Sequence, residues 1–150
     1  MENVNAGNTS ANAVLTADIV VNESLEGSPR KWFPIGYGYD RNGDGYREYN
    51  QYKGTFDGQN HTISGLYFDN ENQDYVGLFG YTREDAEIKN VGVINSFFSG
   101  KDNIGGISGQ NSGRITNCYD TGSVNGDSYI GGICGCNSSS KKQISNCYNI

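Results

Sequence analysis

The chain repeats a short glycine-rich block, and this repetition restricts its fold more than any other feature. Residues 104–109 (IGGISG) recur as residues 130–135 (IGGICG) and, with one residue fewer, as residues 76–80 (VGLFG). A second block follows each loop, and its isoleucines recur every 25–29 residues at Ile63, Ile88, Ile115 and Ile144. A unit this short cannot bury an apolar face alone, so the period predicts stacked repeats.

Within each block, apolar residues alternate with small or polar ones, as in short half-buried strands. Strands of successive repeats would pair in parallel about 4.8 Å apart, which stacks like residues in ladders. We expect one ladder of Ile63, Ile88, Ile115 and Ile144 and a second of Leu66, Val91, Cys118 and Cys147. The sequence therefore predicts an all-β fold, a parallel β-helix (β-solenoid) of about five coils with a period of about 25–29 residues.

Composition agrees with strands and turns and excludes several classes of partner. The 22 glycines disfavour a helical bundle, because glycine costs about 1 kcal/mol per helical position relative to alanine. The formal charge of -6 and the absence of a Lys/Arg cluster argue against nucleic acid as a partner. The apolar runs are too short for membrane insertion.

The repeated blocks resemble the GLUG-motif repeats of bacterial surface proteins. Residues 54–66 (GTFDGQNHTISGL) are similar to the segment that opens such arrays, and residues 15–19 (LTADI) with 32–36 (WFPIG) resemble their N-terminal coil. The resemblance runs from about residue 13 to residue 150. It implies a right-handed parallel β-helix in an adhesin-like protein, with no catalytic residue in the repeat itself.

One solenoid domain accounts for most of the chain. We expect residues 1–12 to form an N-terminal extension or cap and residues 13–150 to form the domain, with an aromatic-rich insertion at about 36–52. The repeated pattern runs to the last residue, which indicates a fragment of a longer exported protein, extracellular or in the cell wall. Since no signal peptide is present, a complete chain would instead be cytoplasmic.

The insertion contains the best local motif. Asp40, Asn42 and Asp44 place oxygen side chains at alternate positions before a glycine, and Glu48 follows at the ninth position, as in a calcium-binding loop. Gln51 stands where that loop needs a bidentate Glu. The same Asn-Gly and Asp-Gly pairs also form plain turns, so both interpretations stay open. No cofactor other than Ca²⁺ is expected.

Aromatic residues cluster around this loop. They include Trp32, Tyr37, Tyr39, Tyr46 and Tyr49. Part of the cluster would cap the end of the solenoid, where strand edges lie open. The remainder would form a flat ligand-binding surface for a sugar or a protein loop.

The four cysteines also follow the repeat. Cys118 and Cys147 occupy equivalent positions, so a disulfide is geometrically allowed, although two buried reduced thiols are the simpler interpretation. Cys134 and Cys136 form a C-x-C pair. A zinc site needs four ligands at suitable spacing, and a chain with a single histidine does not offer them.

No constellation of catalytic residues stands out. His61 has no nucleophile motif beside it, and no spacing selects a pair among Asp57, Asp69, Asp74 and Glu84. We therefore expect a non-catalytic cell-surface module for adhesion or spacing, whose partners are a host protein, a glycan or neighbouring domains. The alternatives are a polysaccharide-acting β-helix enzyme and a stand-alone acidic solenoid that inhibits a protein partner.

Overall fold

The computed structural model describes residues 8–39, 48–138 and 143–150, and these residues contain strands and turns but no helix. In chain order the strands are β1 (Ala13–Val14), β2 (Ile19–Val20), β3 (Tyr37–Tyr39), β4 (Glu48–Asn50), β5 (Thr55–Ser64), β6 (Tyr67–Asp69), β7 (Phe79–Thr82), β8 (Glu87–Ile94), β9 (Phe97–Ser99), β10 (Asp102–Gly105), β11 (Ser108–Asn111), β12 (Arg114–Thr116), β13 (Tyr119–Asp120), β14 (Ser123–Asn125), β15 (Ser128–Gly131), β16 (Cys134–Asn137), β17 (Ile144–Ser145) and β18 (Tyr148–Asn149). No helix in this part of the chain has the length and apolarity needed to cross a bilayer.

The strands stack in parallel as a β-solenoid, which confirms the predicted all-β fold. One sheet has the order β1-β5-β8-β12-β17, and two further sheets have the orders β7-β11-β16 and β6-β9-β14. A fourth pairing joins β10 to β15. The solenoid has about three turns, slightly fewer than the predicted number of about five coils. Five rungs occur on one sheet only, because the first and last repeats add strands of two residues there.

The register confirms part of the predicted ladders and corrects the rest. Ile115 pairs with Ile88 below it and with Ile144 above it. The residue below Ile88 is Phe56, while Ile63 pairs with Val93, so the prediction that Ile63 continues the Ile88 ladder is wrong. The cause is an irregularity in β5 that the spacing of isoleucines conceals.

Two residues with left-handed backbone produce this irregularity. The register between β5 and β8 shifts between Asp57 and His61, and Gln59 and Asn60 have φ angles of 48° and 65°. An Asn at positive φ is tolerated because its short polar side chain bonds locally. The additional residues in β5 move every later residue of the strand along β8. Leu66 accordingly bonds through its N–H to Ser96 Oγ and does not continue the Val91 position.

A column of asparagines crosses the strands of the large sheet and explains the polar position of the repeated I-x-N-C-Y block. Asn90, Asn117 and Asn146 all have φ between 52° and 54°. Asn146 Nδ2 donates to Asn117 Oδ1 at 3.2 Å, and Asn117 Nδ2 donates to Asn90 Oδ1 at 3.1 Å. Asn90 Nδ2 donates in turn to Asp57 Oδ1 at 3.0 Å. The column therefore links four successive rungs.

The inward-facing side chains fill the solenoid. Phe56, Ile88 and Ile115 are completely buried, as are Ile63 and Val93 on the neighbouring ladder. Alternation along each strand sends every second residue inward, so one buried position per repeat produces a continuous apolar column. This column stabilises the fold, since burial of one such side chain contributes about 1.5–3 kcal/mol.

Candidate functional site

The hairpin of β3 and β4 leaves the solenoid from a fixed base. Ile35 bridges Phe79, and Tyr52 bridges Thr82, so the residues on both sides of the hairpin form a rung below β7. Tyr52 is completely buried, and its hydroxyl donates to Ala11 O at 3.0 Å. Burial raises the pKa of Tyr52 to about 12. The hairpin thus projects from a rigid part of the core.

The predicted aromatic surface divides between the core and this hairpin. Trp32 has an exposed fraction of only 6%, and its indole Nε1–H donates to Gly77 O at 3.2 Å, so the ring belongs to the core. Tyr37, Tyr39 and Tyr49 lie on β3 and β4, where Tyr37 is paired with Asn50. The side chains of these three tyrosines lie outside the described part of the structure. A ligand-binding surface of their rings stays a prediction.

The proposed calcium ligands fall largely outside the described residues. Asp40, Asn42 and Asp44 lie in the segment 40–47, as does Tyr46. Glu48 begins β4, and only its backbone is described. The choice between a calcium site and a plain turn therefore stays a prediction.

A groove that no sequence motif indicates lies beside the corner between two sheets. It encloses about 420 Å³ and is lined by Val20, Asn22, Glu23, Ser24, Leu25, Ser64, Asn95, Ser96, Phe97 and Ser123. These residues come from separate repeats and meet only because the coils stack in register. No local motif identifies these residues as one group. Their proximity follows from the pairing of strands between successive coils.

One wall of the groove is a closed loop. Asn22 Nδ2 donates to Arg30 O and to Gly65 O, and Asn22 Oδ1 accepts the N–H of Arg30. Below the loop, Ser96 Oγ donates to Ile94 O and accepts the N–H of Leu66. Gly65 has a φ of 71°, which lets the backbone pass directly beneath the loop. The groove is therefore held in place by hydrogen bonds on both sides.

The chemistry of the groove suits a small polar ligand. Glu23 offers a carboxylate, Asn95 an amide and Ser123 a hydroxyl, beside the apolar ring of Phe97. That ring stacks on Tyr67 with a centroid distance of 5.7 Å. A cavity of this size lies within the range that small-molecule sites occupy.

The ionisable residues considered in the sequence lie apart from the groove. His61 Nδ1 lies 3.2 Å from Asp18 Oδ1, and the Thr62 N–H bond to Asp18 holds the pKa of this carboxyl below its usual value. Asp57 Oδ1 accepts hydrogen bonds from the side chain of Asn90 and the backbone of Gln59, which also lower its pKa.

The remaining carboxylates of that set occupy loops and strand ends. Asp69 Oδ2 accepts a bond from the Tyr67 hydroxyl at 3.3 Å. Asp74 and Glu84 lie in the turns before and after β7. Within the described ranges, no three His, Cys, Asp or Glu side chains come together as a metal site. The absence of a catalytic function stays a prediction.

Cys118 and Cys147 are adjacent on the same sheet and are unpaired thiols. The Cys118 N–H donates to Cys147 Sγ at 3.4 Å, and Cys118 Sγ donates to Thr116 O at 3.3 Å. The side-chain bond with Cys147, together with burial, raises the pKa of Cys118. Burial also raises the pKa of Cys134 to about 12.

These environments predict unequal alkylation of the native protein. The thiolate is the reactive form, and the hydrogen bond from Cys118 lowers the pKa of Cys147. Cys118 and Cys134, whose pKa is raised, should therefore react with iodoacetamide much more slowly than Cys147 at neutral pH. Peptide mass spectrometry after timed labelling measures the order. As a control, labelling in denaturant without reductant should modify all four cysteines. A Cys118–Cys147 bridge in that control would contradict the assignment of reduced thiols.

Asp120 is an acid in the interior. It is completely buried, its Oδ2 accepts bonds from the Gly122 N–H and from Asn149 Nδ2, and its Oδ1 has no hydrogen-bond partner. Burial raises the pKa of Asp120 to about 6. The folded state therefore binds the proton of Asp120 more tightly than the unfolded state does.

This burial predicts a stability that falls as pH rises. Because the folded pKa of Asp120 exceeds the unfolded value, the stabilisation is complete below about pH 4 and is lost as pH rises through about 6. Urea unfolding should give a free energy of unfolding that is lower at pH 7 than at pH 4.5 by roughly 1–3 kcal/mol. Asp120→Asn should flatten this decrease. An equal decrease in the variant would show that another group is responsible.

Comparisons with known proteins give one relative. The chain is 33% identical over 121 residues to halomucin from Haloquadratum walsbyi (strain DSM 16790 / HBSQ001), a match that covers 81% of the chain. The chain spans only about 1% of the length of that relative. No protein-family profile matches the chain, so its resemblance to GLUG-motif repeats stays a prediction. No solved structure matches it either. The chain is thus a β-solenoid of about three turns that is similar to a small part of halomucin.

Proposed function

We propose that the chain is a non-catalytic module of a secreted or cell-surface protein, where it spaces and displays binding surfaces. The observation that carries this proposal is the continuous parallel ladder, in which Phe56, Ile88 and Ile115 fill the centre in register. Such stacking gives a stiff rod, because each repeat packs on its neighbours. The hairpin and the groove are then mounted on a rigid support.

Similarity to halomucin supports the proposed location. Halomucin is a surface protein of a halophile. This chain's acidic composition, with a formal charge of -6, suits a solvated outer surface. Antibodies against the chain should label intact cells of the source organism as strongly as permeabilised cells. Labelling that requires permeabilisation would support the cytoplasmic alternative, an acidic solenoid that inhibits a protein partner.

The groove favours a second role, the binding of a glycan. Sugars combine apolar ring faces with many hydroxyls, and the groove offers the Phe97 ring beside the Glu23 carboxylate and the Asn95 amide. A protein loop remains the other candidate ligand. The hydrogen bonds from Asn22 to Arg30 and Gly65 hold the groove open before a ligand arrives. This order in the unbound state reduces the entropy cost of binding.

Binding of the fluorescently labelled chain to a glycan array tests this role. The parent should bind a subset of neutral or basic glycans, and Phe97→Ala with Glu23→Gln should abolish that signal. The matched control is Phe33→Ala, since Phe33 is a phenylalanine with an exposed fraction of 63% outside the groove. Equal loss in the control would reject the groove as the binding site. Cleavage of any polysaccharide by the parent would instead support the enzyme alternative.

A further inference from the structure

A column of outward-facing side chains beside the groove changes from aromatic rings to a serine. Tyr67, Phe97 and Ser123 are in register on β6, β9 and β14. The next residues along the first two strands, Phe68 and Phe98, are buried. Because successive side chains of a strand point to opposite faces, the column itself faces outward. Its first two positions therefore carry rings, and its third carries only a short side chain.

The two rings of this column lie face to face. The ring centroids of Tyr67 and Phe97 are 5.7 Å apart, and the ring planes differ by 20°. Paired strands are about 4.8 Å apart, so each ring of such a column lies over the ring of the neighbouring rung. Tyr67 thus covers one face of the Phe97 ring. The other face is turned toward the rung of Ser123.

The side chain of Ser123 is too short to fill the space over that second face. Ser123 is exposed, and its Oγ accepts a bond from Asn125 Nδ2 at 3.3 Å, which holds the hydroxyl along its own strand. Both Phe97 and Ser123 line the groove. The groove therefore includes the position that a third ring of the column would occupy.

The other lining residues restrict the charge of an occupant. Glu23 is the only ionisable side chain among the described residues that line the groove, and the formal charge of the chain is -6. A carboxylate or phosphate on the ligand would be repelled, whereas hydroxyl and ammonium groups can donate to the Glu23 carboxylate. Asn95 and Ser24 add an amide and a hydroxyl, which suit further hydroxyl groups.

We propose that the groove binds the terminal pyranose ring of an uncharged or amino sugar, and that this ring stacks on Phe97 as the third member of the column. The proposal rests on the glycan-binding role proposed above and adds the class and the position of the sugar. A pyranose with mostly equatorial hydroxyls presents a face of C–H groups, which are attracted to the negative face of an aromatic ring. The equatorial hydroxyls at its edge are left for Glu23 and Asn95.

Filling the third position with a ring of the chain itself tests this placement. The probes are the methyl β-glycosides of glucose, galactose and N-acetylglucosamine, with glucosamine and glucuronic acid, each followed by NMR titration. The parent should bind at least one of the first four and should not bind glucuronic acid. Ser123→Phe should weaken this binding by about tenfold or more, because the new ring would take the place of the sugar on Phe97. The control Ser128→Phe adds the same ring to an exposed serine outside the groove and should bind like the parent.

Saturation-transfer NMR gives a second readout that needs no variant. When the aromatic protons of the parent are irradiated, protons on one face of the bound sugar should receive more saturation than protons on the other face. Equal saturation of both faces would overturn the stacked position, as would binding by Ser123→Phe at the parent's affinity. Preference for glucuronic acid would overturn the assignment by charge.

The glycan array separates a failure of this placement from a failure of the glycan-binding role. A parent that binds glycans on the array but none of the probes would overturn the terminal-ring assignment alone. Loss of array binding in Phe97→Ala with Glu23→Gln, together with full binding by Ser123→Phe, would keep the groove and reject the stacked position. A parent that binds neither the array nor the probes would overturn both proposals.

Discussion

Ile115→Asp should unfold the chain or prevent its soluble expression. Ile115 is completely buried and lies between Ile88 and Ile144 on the large sheet. The aspartate would stand in an apolar column without a cationic partner, and burial of an unpaired charge is far more costly than the loss of an apolar contact. A domain of this size has about 5–15 kcal/mol of stability in total, so the substitution should consume most of it.

Circular dichroism and thermal melting of purified protein measure the effect. The matched control is Ser123→Asp, because Ser123 is exposed on β14 and the new carboxylate can still accept the Asn125 side-chain bond. Its stability should stay within about 0.5 kcal/mol of the parent. Ile115→Val should cost only about 0.5–1.5 kcal/mol, since the ladder remains apolar. A melting temperature for Ile115→Asp within a few degrees of the parent would contradict the inward position.

The fold was predictable because the same glycine-rich block recurs in the sequence at a nearly constant spacing. The blocks at residues 104–109 and 130–135 define the period of the repeat. Parallel pairing of strands one period apart then stacks Ile130 on Ile104. The position of Ile63 was not predictable from spacing alone, since Gln59 and Asn60 add backbone length at a point where isoleucines still recur. The hydrogen bonds between strands determine which residues stack in a ladder. The spacing of residues in the sequence predicts this stacking only where successive coils have the same length.

The candidate groove could not be predicted for a different reason. Its lining joins Asn22, Asn95 and Ser123, which lie in three different coils and share no motif. The buried position of Asp120 was not predicted either, because an Asp in a sequence pattern is normally assigned to the surface. Its register partner Asn149, which bonds it from the next rung, was the signal available in the sequence.

Gly106→Ala should destabilise the chain strongly, although it adds only one methyl group. A Cβ at Gly106 would lie 2.3 Å from Asp120 Cγ and 2.5 Å from Gly132 O. Asp120 is completely buried and held by two hydrogen bonds to its Oδ2, so it cannot move aside as a flexible surface chain would. The glycine pair of the repeated block is therefore required by the close approach of the next coil. Overpacking of a rigid interior typically costs about 1–3 kcal/mol.

Equilibrium urea unfolding at one pH measures this cost. The control is Gly27→Asn: Gly27 has nothing within 4 Å of a built Cβ, and its φ of 76° lies in the region that Asn tolerates. It should change stability by less than about 1 kcal/mol. The double variant Gly106→Ala/Asp120→Ala should recover part of the loss, because the shorter side chain removes the contact with the new methyl group. If Gly106→Ala were as stable as Gly27→Asn, the repeated glycines would owe their positions to turn conformation and not to packing between coils.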